Sequence, residues 1–239
     1  MQKLLSKLRQ AINDFNLIEE GDKIAIGLSG GKDSITLLHL LNSYKNFAPY
    51  KFDIVAITIN PGGVNNSPLE KLCKDINVPF HEIQSNIKEI VFDLRKEKNP
   101  CSLCANLRRG ALNDTAEKLG CNKIALGHHK DDALETLMLS ICYEGRINCF
   151  SPKSFMEQNK VTIIRPMVYI EEESIKNVAK KYGFPIIKNP CPADGKTKRE
   201  DMKNLIKDLN KKIPGFKKNL FGCLNNSKQL FIWDKEKIY

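Results

Sequence analysis

No run in this chain approaches the 18 consecutive apolar residues that a membrane-spanning helix requires, so no span is expected. There is a single Trp, and neither an internal repeat nor a low-complexity tract. With 14 Gly, 11 Pro and a mean hydropathy of −0.36, the composition is not that of a collagen-like, fibrous or wholly disordered chain. The opening stretch Met1–Gln10 has no apolar h-region and no cleavage site, so no secretory signal is expected and a cytoplasmic setting is. Its apolar residues recur with the 3.6 period of an amphipathic helix.

What the chain has in quantity is positive charge and cysteine. Its 239 residues carry 38 Lys and Arg against 28 Asp and Glu, a formal net charge of +10, together with eight Cys. The length allows one large domain, or one domain with a small appendage. Folding at this size buries roughly 70–75% of the unfolded surface, so the core needs no covalent staples. The cysteines are therefore expected as thiols, with clustered ones the candidate metal ligands. The surplus of cations points to a polyanionic partner.

Short, β-branched apolar runs at Lys23–Leu28 and Asp53–Ile59 read as strands buried on both faces, with shorter candidates at Phe80–Ile83, Lys123–Leu126 and Val161–Ile164. Helical patterns fall between and after them, at Ser34–Ser43, Pro68–Ile76, Leu103–Leu119, Asp132–Tyr143 and Ser174–Tyr182. Strands interleaved with helices predict an α/β fold with a doubly wound parallel sheet. From Lys188 onward there are 13 basic and 6 acidic residues, which is +7 of the net +10. That segment holds one helical run, Arg199–Ile213, stopped by Pro214-Gly215. Residues 1–187 are thus expected as the sheet domain with a short N-terminal helix, and 188–239 as a basic helical appendage.

The first strand runs directly into Ser29-Gly-Gly-Lys-Asp-Ser34 and then a helix. A glycine turn at a helix N-terminus presents unpaired N–H groups and the positive end of the dipole, which suits phosphate; the plainer alternative is a tight turn with a Ser cap. The spacing is not that of a Walker A loop, and Asp33 stands where Ser or Thr would follow the lysine. Further on, Cys101 and Cys104 lie three apart at a helix start, where two thiolates can share one soft metal ion or cluster. A lone pair of this kind serves zinc, redox and iron–sulfur chemistry alike. Arg108 and Arg109 follow and read as a solvated face or as contacts to phosphate or a nucleobase.

Of the remaining cysteines, Cys73, Cys121, Cys142 and Cys149 sit in apolar or helical contexts expected to bury an inert thiol. Cys191, between Pro190 and Pro192, sits in a rigid turn suited to a ligand, and Cys223 reads as helix-end packing with ligation as its alternative. A fourth strand leads into Gly127-His-His-Lys-Asp-Asp132, at the carboxyl end of a parallel strand where such sheets place their chemistry. One of Asp131 and Asp132 is expected to cap the following helix. His128 is favoured as a nucleotide contact, whereas His39 and His81 are expected to be structural or exposed.

SGGKDS resembles the pyrophosphate loop of the N-type ATP pyrophosphatases, the PP-loop superfamily with an adenine nucleotide alpha hydrolase-like fold. That resemblance implies cleavage of ATP to AMP and pyrophosphate in order to adenylate a substrate. By it, Ser29, Gly30, Gly31, Asp33 and Ser34 hold the leaving pyrophosphate, Lys32 adds charge, and Leu28, Thr58 and Ile59 lie beside the nucleotide. It also implies that Gly127 and His128 approach ATP and that Asp132 stands near the reacting centre, with Mg²⁺ the ion it would engage. CSLCANLRRGALNDTAEKLG followed by ALGHHKDDALETLML is similar to the tRNA 2-thiolation branch, and most closely to the tRNA 2-thiocytidine synthetase family, over about Gly21 to Asn225.

The family resemblance implies a [4Fe–4S] cluster on Cys101, Cys104 and Cys191, with one iron left open for sulfide, and Arg108 facing the reaction centre. Many bacterial relatives carry a second CxxC where this chain has only Cys191. The expected reaction is ATP-dependent replacement of the C2 oxygen of a tRNA base, cytidine first, by sulfur from sulfide or a cysteine desulfurase. The basic tail and the arginine pair would neutralise tRNA phosphates, and the target base would be turned out of its stack. A homodimer is compatible with the resemblance. Alternatives are a 2-thiouridine-type thiolase, although no cysteine precedes Cys73; a lysidine-type or amide-forming ligase; and a zinc-stabilised RNA-binding protein without catalysis.

Overall fold

The computed structural model describes residues 1–91, 100–187 and 198–226, with the backbone alone at 100 and 101. The chain divides into two compact units, Met1–Lys130 with Ser151–Asp194 and Asp131–Phe150 with Gly195–Tyr239. No helix among the described residues is long and apolar enough to cross a membrane.

The first unit opens with α1 (Gln2–Asp14), whose Leu4, Leu8, Ala11 and Ile12 form the buried stripe expected of its period. Its sheet consists of β1 (Lys23–Gly27), β2 (Asp53–Asn60), β3 (Phe80–Gln84), β4 (Lys123–Ala125), β5 (Lys153–Met156) and β6 (Val161–Ile164). The spatial order is β3-β2-β1-β4-β6-β5, parallel throughout except for the β5–β6 pair. The connecting helices are α2 (Lys32–Lys45), α3 (Ser67–Asp75), the single turn α4 (Ile87–Glu89), α5 (Pro100–Lys118) and α7 (Glu172–Tyr182), with α6 (Lys130–Leu139) lying between the last two in the chain.

The apolar runs of β1 and β2 are covered on both faces. Ala25, Val55, Ile57 and Ile124 pack with Leu112 and Ala116 of α5, which requires the alternate residues Ile24, Ile26 and Ile54 to point to the opposite face. Helix α2 is buried over most of its length, and Ile35, Leu37, Leu38, Leu40 and Leu41 are fully buried. Each such side chain contributes roughly 1.5–3 kcal/mol of burial, so α2 is anchored along its whole length. This matters because the candidate phosphate loop hangs from its N-terminus.

Two elements depart from the sequence expectation. β5 is an antiparallel edge strand, and its Phe155 faces solvent, so the run Lys-Ser-Phe-Met carries no strong strand signal. In the second unit, α8 (Lys198–Lys212) is followed by α9 (Phe216–Asn225), a helix not anticipated after Pro214-Gly215. Gly215, at φ +83°, turns the chain from one helix into the next. Leu220, Phe221 and Leu224 of α9 then pack with Met202 and Ile206 of α8 and with Leu134 and Met138 of α6, forming that unit's own core. Helix α6 itself passes into a π-helical turn, Ser140–Glu144, closed by Gly145 at φ +62°.

The thiols separate by exposure. Cys73 and Cys121 are buried as expected, and burial pushes the Cys73 thiol up to about 11. Cys142 and Cys223 are exposed, contrary to expectation: Cys142 sits in the π-helical turn beyond the apolar part of α6, and α9 presents Cys223 outward. Cys149 is half-buried, its Sγ donating to the Ala133 carbonyl at 3.4 Å. Brief alkylation at pH 8 should therefore modify Cys142 and Cys223 and spare Cys73 and Cys121 until the protein is unfolded, as peptide mass mapping will show.

Candidate active site

In the first unit, β1 lies between β2 and β4, and the strand order reverses at β1 and β4. The crevice outside the carboxyl ends of strands at such a reversal is where open α/β sheets bind ligands. The loops that leave β1 and β4 are the two that the sequence singled out.

The β1 loop is braced from several sides. Leu28 N–H donates to the Ile57 carbonyl at 2.8 Å, and the buried Thr58 hydroxyl donates to the Leu28 carbonyl at 2.7 Å. Thr58 therefore secures the loop entrance, while Ile59 joins the cluster against α5. Ser34 Oγ donates to the Gly31 carbonyl at 3.0 Å and lies 3.2 Å from Ser29 Oγ. Gly30 has φ +82°, and a Cβ there would also lie 3.0 Å from Ile187 Cβ. The chain returns over it, Ile187 N–H donating to the Gly30 carbonyl at 3.0 Å. Because α2 begins at Lys32, its first N–H groups are free of intrahelical partners and available to an anion.

Gly127 has a backbone reason to be glycine. A Cβ there would stand 3.1 Å from Asp33 C, 3.2 Å from its carbonyl oxygen and 3.2 Å from Ser34 N. The β4 loop thus lies directly against the backbone of the β1 loop. His129, which the sequence left open, is buried with Nε2 3.7 Å from Asp33 Oδ1; His128 is half-buried. His39 stacks on Phe184 at 4.8 Å and His81 is exposed, as expected.

Lys32 is ion-paired with Asp33 at 3.0 Å and with Glu172 of α7 at 3.2 Å. Burial alone would lower its pKa, but Asp33 and then Glu172 outweigh that and hold it above its usual value. Glu172 is mostly buried and also pairs with Lys176 at 3.1 Å. The sequence did not reveal it, because three consecutive acids at a helix start read as ordinary dipole complements.

Helix α5 feeds the parallel strand β4, so its N-terminus lies at the same carboxyl edge as the β1 loop. Positions 101, 104, 108 and 112 fall on one face of it by their spacing. Leu112 is the inner end of that stripe, its Cδ2 reaching within 3.1 Å of where a Gly27 Cβ would stand. Cys104 and Arg108 are half-buried, and Arg109 is exposed. Cys101 and Cys104 are the second and fifth residues of α5, toward the end where the helix dipole favours thiolate, the form that binds soft metals. The third proposed ligand, Cys191, lies outside the described residues. Among the described residues no group of three or more His, Cys, Asp or Glu is placed to hold a metal ion.

Asp131 and Asp132 belong to the second unit. Both sit in the first turn of α6 rather than at its cap. Asp131 pairs with Lys217 of α9 at 2.6 Å, and Asp132 Oδ1 lies 3.6 Å from Arg199 Nη1 of α8. The same guanidinium is 3.4 Å from Glu135, whose side chain is only 6% exposed. Burial, then the Asp132 charge, push Glu135 up to about 7 against the pull of Arg199 and Lys203. Two cations of the basic segment are therefore engaged with acids of α6, and neither was distinguishable in sequence from a solvated helix face.

The PP-loop domain family matches residues 1–209. The tRNA-cytidine(32) 2-sulfurtransferase of Geobacter metallireducens is 39% identical, over 98% of this chain and 93% of its own length. That of Syntrophotalea carbinolica is 40% identical, over 94% and 89%. Among solved structures, the U34-tRNA thiolase NcsA from Methanococcus maripaludis with its [4Fe–4S] cluster superposes with a TM-score of 0.79 at 26% identity, covering 98% of this chain and 80% of that one.

Proposed function

The chain belongs to the tRNA 2-thiocytidine synthetase family of PP-loop proteins, and from that premise we propose that it replaces the C2 oxygen of a tRNA cytidine, at position 32 as in its relatives' names, by sulfur at the expense of ATP. The observation that carries the reading is the joint placement, at one carboxyl edge of the sheet, of the anion-binding β1 loop and the cysteine-bearing start of α5.

A base oxygen is a poor leaving group until it is adenylated. Its attack on the α-phosphorus of ATP expels pyrophosphate, which Ser29, Gly30, Gly31, Asp33 and Ser34 hold through loop N–H and hydroxyl groups while Lys32 supplies positive charge. Leu28, Thr58, Ile59, Gly127 and His128 shape the nucleotide's surroundings, and Mg²⁺ travels with its phosphates. Sulfur then bonds to C2, and the original oxygen departs with AMP. Arg108, on the cysteine face of α5, offsets negative charge at the reacting base, and Asp132 is a catalytic carboxylate of the reaction. Cys101, Cys104 and Cys191 fit a [4Fe–4S] cluster by donor chemistry; when bound, it supplies an iron with no protein thiolate, at which sulfur can be held. The sulfur comes as sulfide, or from a cysteine desulfurase whose persulfide sulfur is reduced to the sulfide level by two electrons from a thiol reductant; the setting is cytoplasmic and the assembly is a homodimer.

The test is anaerobic incubation of the protein with unmodified tRNA, ATP and sulfide, followed by nucleoside mass spectrometry. AMP release that depends on tRNA, with 2-thiocytidine as the product, is expected. 2-Thiouridine would move the chain to the neighbouring activity, and a colourless zinc protein that forms no AMP would leave only RNA binding.

A further inference from the structure

The seam between α6 and α8 is apolar along most of its length and ends in charge. Met202 and Ile206 of α8 pack on Leu134 and Met138 of α6, and all four are buried. Arg199 lies three and seven residues before Met202 and Ile206, on the same face of α8. That seam delivers its guanidinium to the first turns of α6. There Nη1 lies 3.6 Å from Asp132 Oδ1, 3.5 Å from the Asp132 carbonyl oxygen and 3.4 Å from Glu135 Oε2. Nη2 donates to Thr136 Oγ1 at 3.3 Å, and that hydroxyl donates to the Asp132 carbonyl at 2.7 Å. Asp132, Glu135 and Thr136 are the i, i+3 and i+4 positions of one helix face, and a planar fork can engage all three where a single ammonium cannot.

We infer that Arg199 is a positioning residue for the reaction: it fixes the carboxylate of Asp132 by engaging both ends of that residue. The basic C-terminal segment therefore holds a residue of the proposed chemistry in place, in addition to meeting RNA. The inference rests on the proposed role of Asp132 in catalysis.

Arg199 also neutralises the buried Glu135, and an exposed ion pair alone would be worth little. The experiment must therefore separate aim from neutralisation. Steady-state thiolation is measured with the cluster-loaded protein for Arg199→Met, Arg199→Met/Glu135→Gln, Asp132→Asn and Arg199→Met/Asp132→Asn, alongside thermal unfolding. Arg199→Met should lower kcat by about tenfold or more, the scale on which a misplaced group costs rate, and should lower Tm. Adding Glu135→Gln replaces the buried carboxyl that lost its cation with a neutral amide, so Tm should recover while kcat stays low. Arg199→Met/Asp132→Asn should be no slower than Asp132→Asn alone, because both changes remove one function.

A double variant Arg199→Met/Glu135→Gln with wild-type kcat overturns the inference, leaving Arg199 a structural counter-ion. So does a rise in KM for tRNA at unchanged kcat, which would make Arg199 an RNA contact. Asp132→Asn at wild-type kcat overturns the role of Asp132 itself, which the other two outcomes leave standing.

Discussion

Gly127→Ala is expected to cut AMP formation by at least about tenfold, toward the roughly 100-fold that a 1 Å misplacement costs. The added methyl group has no flexible neighbour to displace. It meets the carbonyl carbon and oxygen of Asp33 and the amide nitrogen of Ser34 at 3.1–3.2 Å, all backbone atoms. Asp33 and Ser34 lie in the first turn of α2, whose remaining turns are locked by fully buried Ile35, Leu37 and Leu38. The strain must therefore be taken up by the β4 loop or by the two residues proposed to hold pyrophosphate. Either shift reaches the loop contacts, so KM for ATP should rise and kcat should fall together, with little change in far-ultraviolet circular dichroism. Gly110→Ala is the matched control, since nothing lies within 4 Å of a Cβ there. Wild-type kinetics for Gly127→Ala would mean that the two loops are not held in register by this contact.

The contrast between those two glycines also shows how far the sequence could be read. Five parallel strands and the helices between them were legible because β-branched runs and 3.6-residue periods are local signals. The β1 loop was legible for a related reason: six adjacent residues carry it. Glu172 was not, since its meaning comes from Lys32, which lies 140 positions earlier in the chain and meets it only when α7 packs on α2. Arg199 failed in the same way, for a basic residue opening a charged helix looks solvated until α6 is laid beside it. The edge strand β5 and helix α9 were missed because each carries a weak local pattern, an exposed Phe155 in one and Gly222 within the other, and takes its shape from a neighbour. Contacts between positions distant in sequence are where the reading ran out.

Cys104→Ser should abolish 2-thiocytidine formation while leaving ATP binding within about twofold of wild type. Serine nearly reproduces the shape of cysteine but offers a hard oxygen, a poor ligand for the soft iron of a cluster. Anaerobically purified Cys104→Ser protein should therefore lose iron, labile sulfide and visible absorbance together. The nucleotide loop should not sense the change. Cys104 lies eight residues before Leu112, the α5 residue that reaches Gly27, which is about 12 Å along the helix. Cys191→Ser should behave alike, whereas Cys142→Ser should keep iron and activity, because that thiol is exposed in the second unit. Retention of iron and thiolation by Cys104→Ser would remove the start of α5 from the sulfur chemistry. Loss of thiolation together with ATP affinity would instead make Cys104 a structural residue of the loop's support. The separation of the two readouts is thus the decisive result: a cluster ligand removes sulfur transfer and leaves nucleotide binding in place, whereas a structural residue of the loop's support loses both.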